Sequence, residues 1–331
     1  MTELAISAVI PVYNEVESLP ILVQRLLPAL AAIGPYEVIF INDGSDDGSA
    51  EKLDGISRAN PGMVKVIHLR ANCGKSLALQ AGFREAKGRL TLMMDADLQD
   101  QPEEIHKLIR HMDENRLDGV TGWKATRHDP IGKTAPSRFF NWVMRRFSGL
   151  EIHDFNCGLK IFKRECLQDV SLYGQLHRFI LILVANMGFR VGEVPVEHAP
   201  RQFGYSKFGA KRIFSGAVDF LTVFFITRYL HSPLYFFGFY GVALILVSMV
   251  TGAYFILMHF YSLAMGLPLW HLANHPLWIL SPILFLLGVI MLFFGLIGEL
   301  ITYHMMGGAH HLKFIAGKTG FAAEKDDARS S

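Results

Sequence analysis

RLTLMMDAD, residues 89–97, is an unbroken apolar run of strand length that closes on two carboxylates, and LQDQP (98–102) follows it. A strand apolar at every position is covered on both faces, as in a parallel sheet flanked by helices. Working outward, runs of the same kind recur at AISAVIPVY (5–13), YEVIFI (36–41), VKVIHLR (64–70), LDGVTGW (117–123) and FRVGEVPV (189–196). Helical periodicity lies between them. Residues 14–33 put Leu19, Leu22, Val23, Leu26 and Leu27 on one side, with Glu15 and Glu17 in the first turn, and 75–86 read as a second helix. Asp100, Pro102 and Glu103 have the spacing of a capping box that starts a further helix. Strand–helix alternation of this kind predicts an α/β domain with a mostly parallel central sheet, whose ligand binds beyond the carboxyl ends of the strands. Both acidic clusters of the chain fall there.

The last third of the 331 residues has another character. Between His231 and Leu312 there is no Lys or Arg, and Glu299 is the one acid. Residues 234–258 and 276–300 are each long enough to cross about 30 Å of hydrocarbon as a helix. Lys207, Lys211, Arg212 and Arg228 precede the first span, Lys313 and Lys318 follow the second, and the 259–275 connection has no basic residue. The positive-inside rule then places both termini in the cytoplasm. Residues 211–230, apolar but interrupted by Asp219 and Arg228, suit a juxtamembrane helix in the interface. The predicted organisation is a soluble domain over 1–210, the interfacial helix over 211–230, a two-span hairpin over 231–304 and a cytoplasmic tail over 305–331. A net charge of +2 gives no reason to expect a nucleic-acid partner. Three cysteines (Cys73, Cys157, Cys166), in no metal-like spacing, read as reduced thiols. Two spans allow a homo-oligomer without requiring one.

Asp95 and Asp97 are a like-charge pair whose cost a divalent cation shared with phosphate oxygens would remove, and hard oxygen ligands argue for Mg²⁺ or Mn²⁺. On the residues alone Asp97 takes the metal, Gln99 supports it, and Asp95 takes a nucleotide ribose or an outer position; the chain is expected to turn at the pair. Asp43 in NDGSDDGS (42–49) can accept hydrogen bonds from a base or ribose, and Gly44 permits close backbone approach. Gly74-Lys75-Ser76 looks like the end of a phosphate-binding loop, but Leu69 stands where the first glycine must be, which excludes a P-loop NTPase. Lys124, Arg127 and Lys133 lie in a polar stretch over 124–137 that reads as a mobile loop. Arg201 and Lys207 lie in PRQFGYSKFG, and both basic sets suit phosphates.

IPVYNE (10–15), NDGSDDGS (42–49), DADLQDQP (95–102), HDFNCGLKIF (153–162), LYGQLHRFI (172–180) and EVPVEHAPRQFGYSKFG (193–209), followed by the two spans, together resemble a family 2 glycosyltransferase of the polyprenyl-phosphate sugar transferase branch. The resemblance covers nearly the whole chain. It implies a GT-A fold, Mg²⁺ or Mn²⁺ at the acidic segment, and inverting transfer from a nucleotide sugar (UDP-linked before GDP-mannose) to polyprenyl phosphate at the bacterial inner membrane. Carried over by position, Pro11, Tyr13, Glu15 and Asp43 line the nucleotide. Asp95, Asp97 and Gln99 serve the metal and diphosphate, and Arg127, Arg201 and Lys207 hold phosphates. Asp100 and Gln101 replace a His-Pro of many relatives and fall outside the expected contacts. Gln175 stands where many relatives have Glu. A phosphate acceptor, already ionised, needs no base, and Asp154 is the remaining candidate for an orienting group or base. The rival readings are a glycosyltransferase acting on a glycan hydroxyl, which would need a committed base, and a non-catalytic membrane anchor, which would not need the acidic pair.

Overall fold

A computed structural model describes residues 3–124, 141–199, 224–225, 229, 232–267 and 276–306. The chain divides into two compact units, Met1–Val223 and Phe224–Ser331.

In the first unit the elements run β1 (Ile6–Val12), α1 (Ser18–Ala31), β2 (Tyr36–Asn42), α2 (Ser49–Ala59), β3 (Val64–His68), α3 (Lys75–Glu85), β4 (Leu90–Met93), a 3₁₀ turn (Pro102–Glu104), α4 (Ile105–Glu114) and β5 (Gly119–Trp123). After helical residues 141–148 come β6 (Lys160–Lys163), α5 (Glu165–Gln168), a second 3₁₀ turn (Leu176–Phe179), α6 (Ile180–Asn186) and β7 (Val191–Pro195). The seven strands lie in the order β3-β2-β1-β4-β6-β5-β7. All pairings are parallel except those of β6, which runs antiparallel to both β4 and β5. The sheet is therefore mixed, mostly parallel, as expected for this α/β class. β6 has the apolar content of a strand but only four residues, too short for its pattern to stand out.

Apolar layers cover both faces. Leu19, Leu22, Leu26, Leu108 and Val120 belong to one; Ile39, Ile41, Leu79, Phe83, Phe155 and Phe162 belong to the other. Two local readings are corrected. α1 begins at Ser18, not at residue 14, because Asn14 takes a left-handed backbone (φ 55°) and ties the β1 loop to the β2 loop. Asp100 does not cap the next helix: its side chain is buried, and the 3₁₀ turn that starts at Pro102 has no side-chain cap. Glu103 instead pairs with Arg25 of α1 at 2.7 Å.

In the second unit α7 (Pro233–Ala264) and α8 (Pro276–Met306) form an antiparallel pair. Both run past the predicted span ends. Each is long and apolar enough to cross a membrane, and only 17% of its most apolar window is buried. Side chains such as Phe239, Leu257, Phe293 and Leu300 point outward, which a soluble core helix does not do and a lipid-surrounded helix does. The contact seam repeats every seven residues: Gly241, Ser248, Phe255 and Ser262 on α7 are buried, and Ser281 and Gly288 of α8 lie against that row. A Cβ on Gly241 would come within 2.8 Å of the Gly288 carbonyl, so glycine sets the spacing of the helices there. Ser248 Oγ donates to the Ser281 carbonyl at 2.7 Å, and Ser281 Oγ donates to the Ser248 carbonyl at 2.9 Å. Small residues and paired hydroxyls are what bring apolar helices together in lipid, where burial of carbon gains nothing.

Candidate active site

β1, β2, β4 and β5 all end at one edge of the sheet, since the two antiparallel pairings of β6 restore the common direction between β4 and β5. The loops after β1 and β2 are zipped together there. Asn14 Nδ2 donates to Asp46 at 2.6 Å, and Asp46 N–H donates back to Asn14 Oδ1 at 3.0 Å. Glu15 N–H reaches Ser49 Oγ (3.0 Å), and Val16 N–H reaches Asp47 (3.1 Å). Burial works to raise the Asp47 carboxyl, but bonds from Ser49 and from backbone amides outweigh it and hold it below the usual range. Asp43, buried, accepts the N–H groups of Cys73 (2.7 Å) and Gly74 (2.9 Å) and so fixes the turn that starts α3. Gly44, left-handed at φ 69°, lies so close to residues 71 and 72 that a Cβ would strike their backbone. Pro11 and Tyr13 are half-buried along the same rim.

The acidic turn begins where β4 stops, at Met93. Asp95, Asp97 and Gln99 are half-exposed, alternating with buried Ala96, Leu98 and Asp100, and Leu98 is left-handed at φ 61°. Asp95 is ion-paired with Lys75, the first residue of α3. Asp97 Oδ1 accepts the Gln99 N–H at 3.2 Å. Asp100 faces Lys124 at 3.6 Å and His198 at 3.7 Å, and its Oδ1 has no hydrogen-bond partner. Burial pushes the Asp100 carboxyl up, but Lys124 and His198 pull it down to about 2. Lys124 is pushed down by burial and raised overall by Asp100, Asp154 and Asp95. Lys160, buried, donates to the Cys157 carbonyl, and burial lowers it. Asp95 and Asp100 both crowd Gly158, where a Cβ would strike their carboxylate oxygens. Three carboxylates (Asp95, Asp100, Asp154) and three lysines (Lys75, Lys124, Lys160) thus interleave in one charge-balanced cluster.

The rim continues at Asp154, buried, whose Oδ1 accepts Asn156 N–H at 3.1 Å. His153 stacks on Trp123 at 4.5 Å between ring centroids and is held by the Glu193 carboxylate. His177, close to Lys75 through Ser76 (Oγ to Nδ1 2.9 Å), is kept well below its ordinary value by burial and then by Lys75 and Arg178. A strand-end edge with carboxylates, lysines and loops built around glycines suits a polyanionic ligand.

The profile of Glycosyl transferase family 2 matches residues 7–171. Dodecaprenyl-phosphate galacturonate synthase of Rhizobium johnstonii is 32% identical over 91% of this chain and 89% of its own length. The chain belongs to glycosyl transferase family 2. Undecaprenyl-phosphate 4-deoxy-4-formamido-L-arabinose transferase of Klebsiella pneumoniae is 34% identical over 89% of this chain and 88% of its own length. Glucosyl-3-phosphoglycerate synthase of Mycobacterium tuberculosis, solved with Mn²⁺ and UDP-glucose, shares the fold (TM-score 0.51, 16% identity, 67% of this chain and 78% of that one). The α/β unit of this glycosyltransferase is therefore of GT-A type.

Among the residues expected in the transferase site, Pro11, Tyr13, Glu15, Asp43, Asp95, Asp97, Gln99 and Asp154 all lie on this edge. Arg127, Arg201 and Lys207 lie outside the described residues, as do Lys133 and nearly all of 211–230. Asp100 belongs beside Asp95, inside the cluster and not outside it. Lys124 faces Asp100 and His198. Lys75, Gly158, Lys160 and His198 escaped the reading. Lys75 was set aside with the failed P-loop pattern; the others lie inside stretches matched as motifs, but only tertiary contacts give them a role. Among the described residues no three His, Cys, Asp or Glu side chains converge into a complete metal cage. The donors do fit a hard cation that takes one or two carboxylates and completes its shell with water and phosphate.

Proposed function

We propose that this chain transfers a sugar from a nucleotide-sugar donor, UDP-linked, to a polyprenyl phosphate of undecaprenyl type at the cytoplasmic face of a bacterial inner membrane, with inversion at the anomeric carbon. The supporting observation is that similarity to two transferases named for a polyprenyl phosphate and a sugar runs over about nine-tenths of the chain, across both units. The loops after β1 and β2, with Pro11, Tyr13, Glu15 and Asp43, receive the nucleotide. Asp97, supported by Gln99, would hold Mg²⁺ or Mn²⁺ against the donor diphosphate, where the ion supplies charge neutralisation for the departing nucleoside diphosphate. Asp95, ion-paired with Lys75, takes the outer position.

The acceptor phosphate is ionised near neutral pH, so its oxygen attacks the anomeric carbon directly and the nucleoside diphosphate leaves. Gln175 therefore suffices where a base would otherwise be required. Asp154, fixed through Asn156, acts in orientation, and Arg127, Arg201 and Lys207 hold the two phosphate groups. α7 and α8 cross the membrane as a hairpin with both termini cytoplasmic.

The test is transfer by the detergent-purified chain with Mg²⁺ or Mn²⁺, undecaprenyl phosphate and a panel of radiolabelled nucleotide sugars, counting label in the organic phase. Label from one donor, abolished by chelator, is expected. Label that appears only on a glycan hydroxyl acceptor would overturn the proposal.

A further inference from the structure

The acidic turn contains a backbone conformation that its own residues do not favour. Leu98, between Asp97 and Gln99, is left-handed at φ 61° although it is not a glycine. A residue of this kind keeps that conformation only where its surroundings over-determine it. One side is accounted for, since the Leu98 side chain is buried in the layer of Leu22, Leu26 and Leu108. The other side is met by Gln101. Its Nε2 lies 3.4 Å from the Leu98 carbonyl and 3.5 Å from the Gln99 carbonyl, and its Oε1 accepts from Arg25 Nη2 on α1. Arginine can only donate, so the guanidinium draws the amide oxygen of Gln101 to itself and leaves the nitrogen, with two hydrogens, for the turn. Arg25 is itself held. Its Nε and Nη2 reach the two Glu103 oxygens at 3.0 and 2.7 Å, and Leu22 and Leu26 of the same helix are fully buried.

We propose that Gln101, oriented by Arg25, is a positioning residue: it holds Leu98 left-handed and so keeps Asp97 and Gln99 together on the exposed side of the acidic turn. The fork between Arg25 and Glu103 would by itself join α1 to the 3₁₀ turn at Pro102–Glu104. What Gln101 adds is a pair of hydrogens aimed at the carbonyls of Leu98 and Gln99. Each bond is long, so the two together, and not either alone, restrain the turn. The Gln99 carbonyl also accepts Ala199 N–H at 3.0 Å, which fixes the same peptide from the far side. A turn held in this way presents its donors to a cation without first having to be ordered, which is how residues behind a metal ligand raise its affinity. The inference deepens the proposed reaction and rests on the reading of Asp97 and Gln99 as the residues that hold the cation.

The experiment compares the full chain in detergent with its Gln101→Glu and Glu103→Gln variants. Glutamate has the size of glutamine and still accepts from Arg25, but it has no hydrogen for the turn and sets a carboxylate oxygen against two carbonyls. Glu103→Gln weakens the fork to α1 and leaves Gln101 as it is. Amide hydrogen exchange over residues 95–100 is read first, without metal. It is expected to be about fivefold faster or more in Gln101→Glu, the scale of losing one hydrogen bond, and parental in Glu103→Gln. Residues 36–42 of β2 should stay protected in all three. Parental exchange over 95–100 in Gln101→Glu overturns the proposal. Binding of Mn²⁺ in the presence of UDP, followed by the EPR signal of free Mn²⁺, is read second. Its Kd should rise about tenfold or more in Gln101→Glu. The added negative charge would by itself favour a cation, so parental or tighter binding overturns the proposal. An equal loss in Glu103→Gln overturns it too, because anchoring of α1 would then be the cause. A parent chain that binds no Mn²⁺ would sink the metal reading of the turn, and the exchange rates would still decide whether Gln101 holds it.

Discussion

Two buried carboxylates at opposite ends of the same sheet have opposite surroundings. Glu37, near the start of β2 and 1% exposed, accepts Ser7 Oγ at 2.6 Å, Lys65 Nζ at 2.6 Å and Lys87 N–H at 2.7 Å. Asp100, past the end of β4 and 3% exposed, has Lys124 at 3.6 Å and the His198 ring at 3.7 Å, and one oxygen is unsatisfied. Burial favours the neutral acid at both, yet in both the neighbours win and the group stays ionised. The difference lies in saturation. A buried carboxylate with both oxygens hydrogen-bonded holds strands together; one with an idle oxygen among lysines is poised for something that arrives later. Fold stability and chemistry are thus assigned to opposite edges of one sheet, as the topology of open α/β sheets leads one to expect.

The strongest way to break this division is at the site edge. Asp97→Asn should reduce transfer on the order of 10³-fold, the scale of losing one group that stabilises the departing charge, and leave the melting temperature of the protein unchanged. Organic-phase label and thermal unfolding measured on one preparation check it; a large drop in melting temperature would mean Asp97 is structural. At the other edge Glu37→Ala should cost about 3 kcal/mol, the low end for breaking a buried pair, because Lys65 is 44% exposed and stays hydrated when its partner goes. Turnover per folded molecule should not change. The sign with pH follows from the direction of the shift. Glu37 ionises more readily folded than unfolded, so its contribution is present above the unfolded value of about 4.3 and is lost as pH falls through the lower folded one. Glu37→Gln should flatten that part of the acid limb of stability; an unchanged limb would remove Glu37 from the account.

Asp100→Asn sharpens the comparison, since it removes charge and keeps shape. A group that orients a ligand-bearing turn is worth about 10–100-fold in activity. The loss should fall on turnover, with less destabilisation than Glu37→Ala. The reverse pattern would make Asp100 a second Glu37.

The sheet, its class and the two apolar helices could be read from runs such as RLTLMMDAD and the stretch after His231 without Lys or Arg, because a strand covered on both faces and a helix apolar all round both leave a one-dimensional trace. The acidic turn was legible for the same reason, as charge abutting a strand. Asp100 was misread because its spacing to Glu103 imitates a cap, and a pattern over four residues cannot report that Lys124 and His198, far along the chain, come to meet it. Lys75 belongs to an incomplete P-loop pattern, and nothing in that pattern points to its partner Asp95, 20 residues away. Helix ends failed more gently. Asn14 reads as the start of α1, yet its left-handed backbone is spent on bonding Asp46.

The smallest expected effect lies in the hairpin, where saturation can be tested without charge. Ser248 and Ser281 exchange hydroxyl-to-carbonyl bonds across the α7–α8 seam, and both are buried. If saturated polar pairs hold structure alone, Ser248→Ala should leave transfer at parental rates and weaken helix association by about 0.6 kcal/mol, the average for hydrogen bonds between membrane helices. The figure is small because each carbonyl keeps its own helical bond and alanine preserves the close approach that Gly241 and Gly288 already impose. Reversible unfolding in mixed micelles reads the stability, and the same preparation reads transfer. A loss of transfer with stability intact would show that the seam does more than join two helices, and would break the separation between saturated and unsaturated polar groups on which the comparison of Glu37 with Asp100 stands.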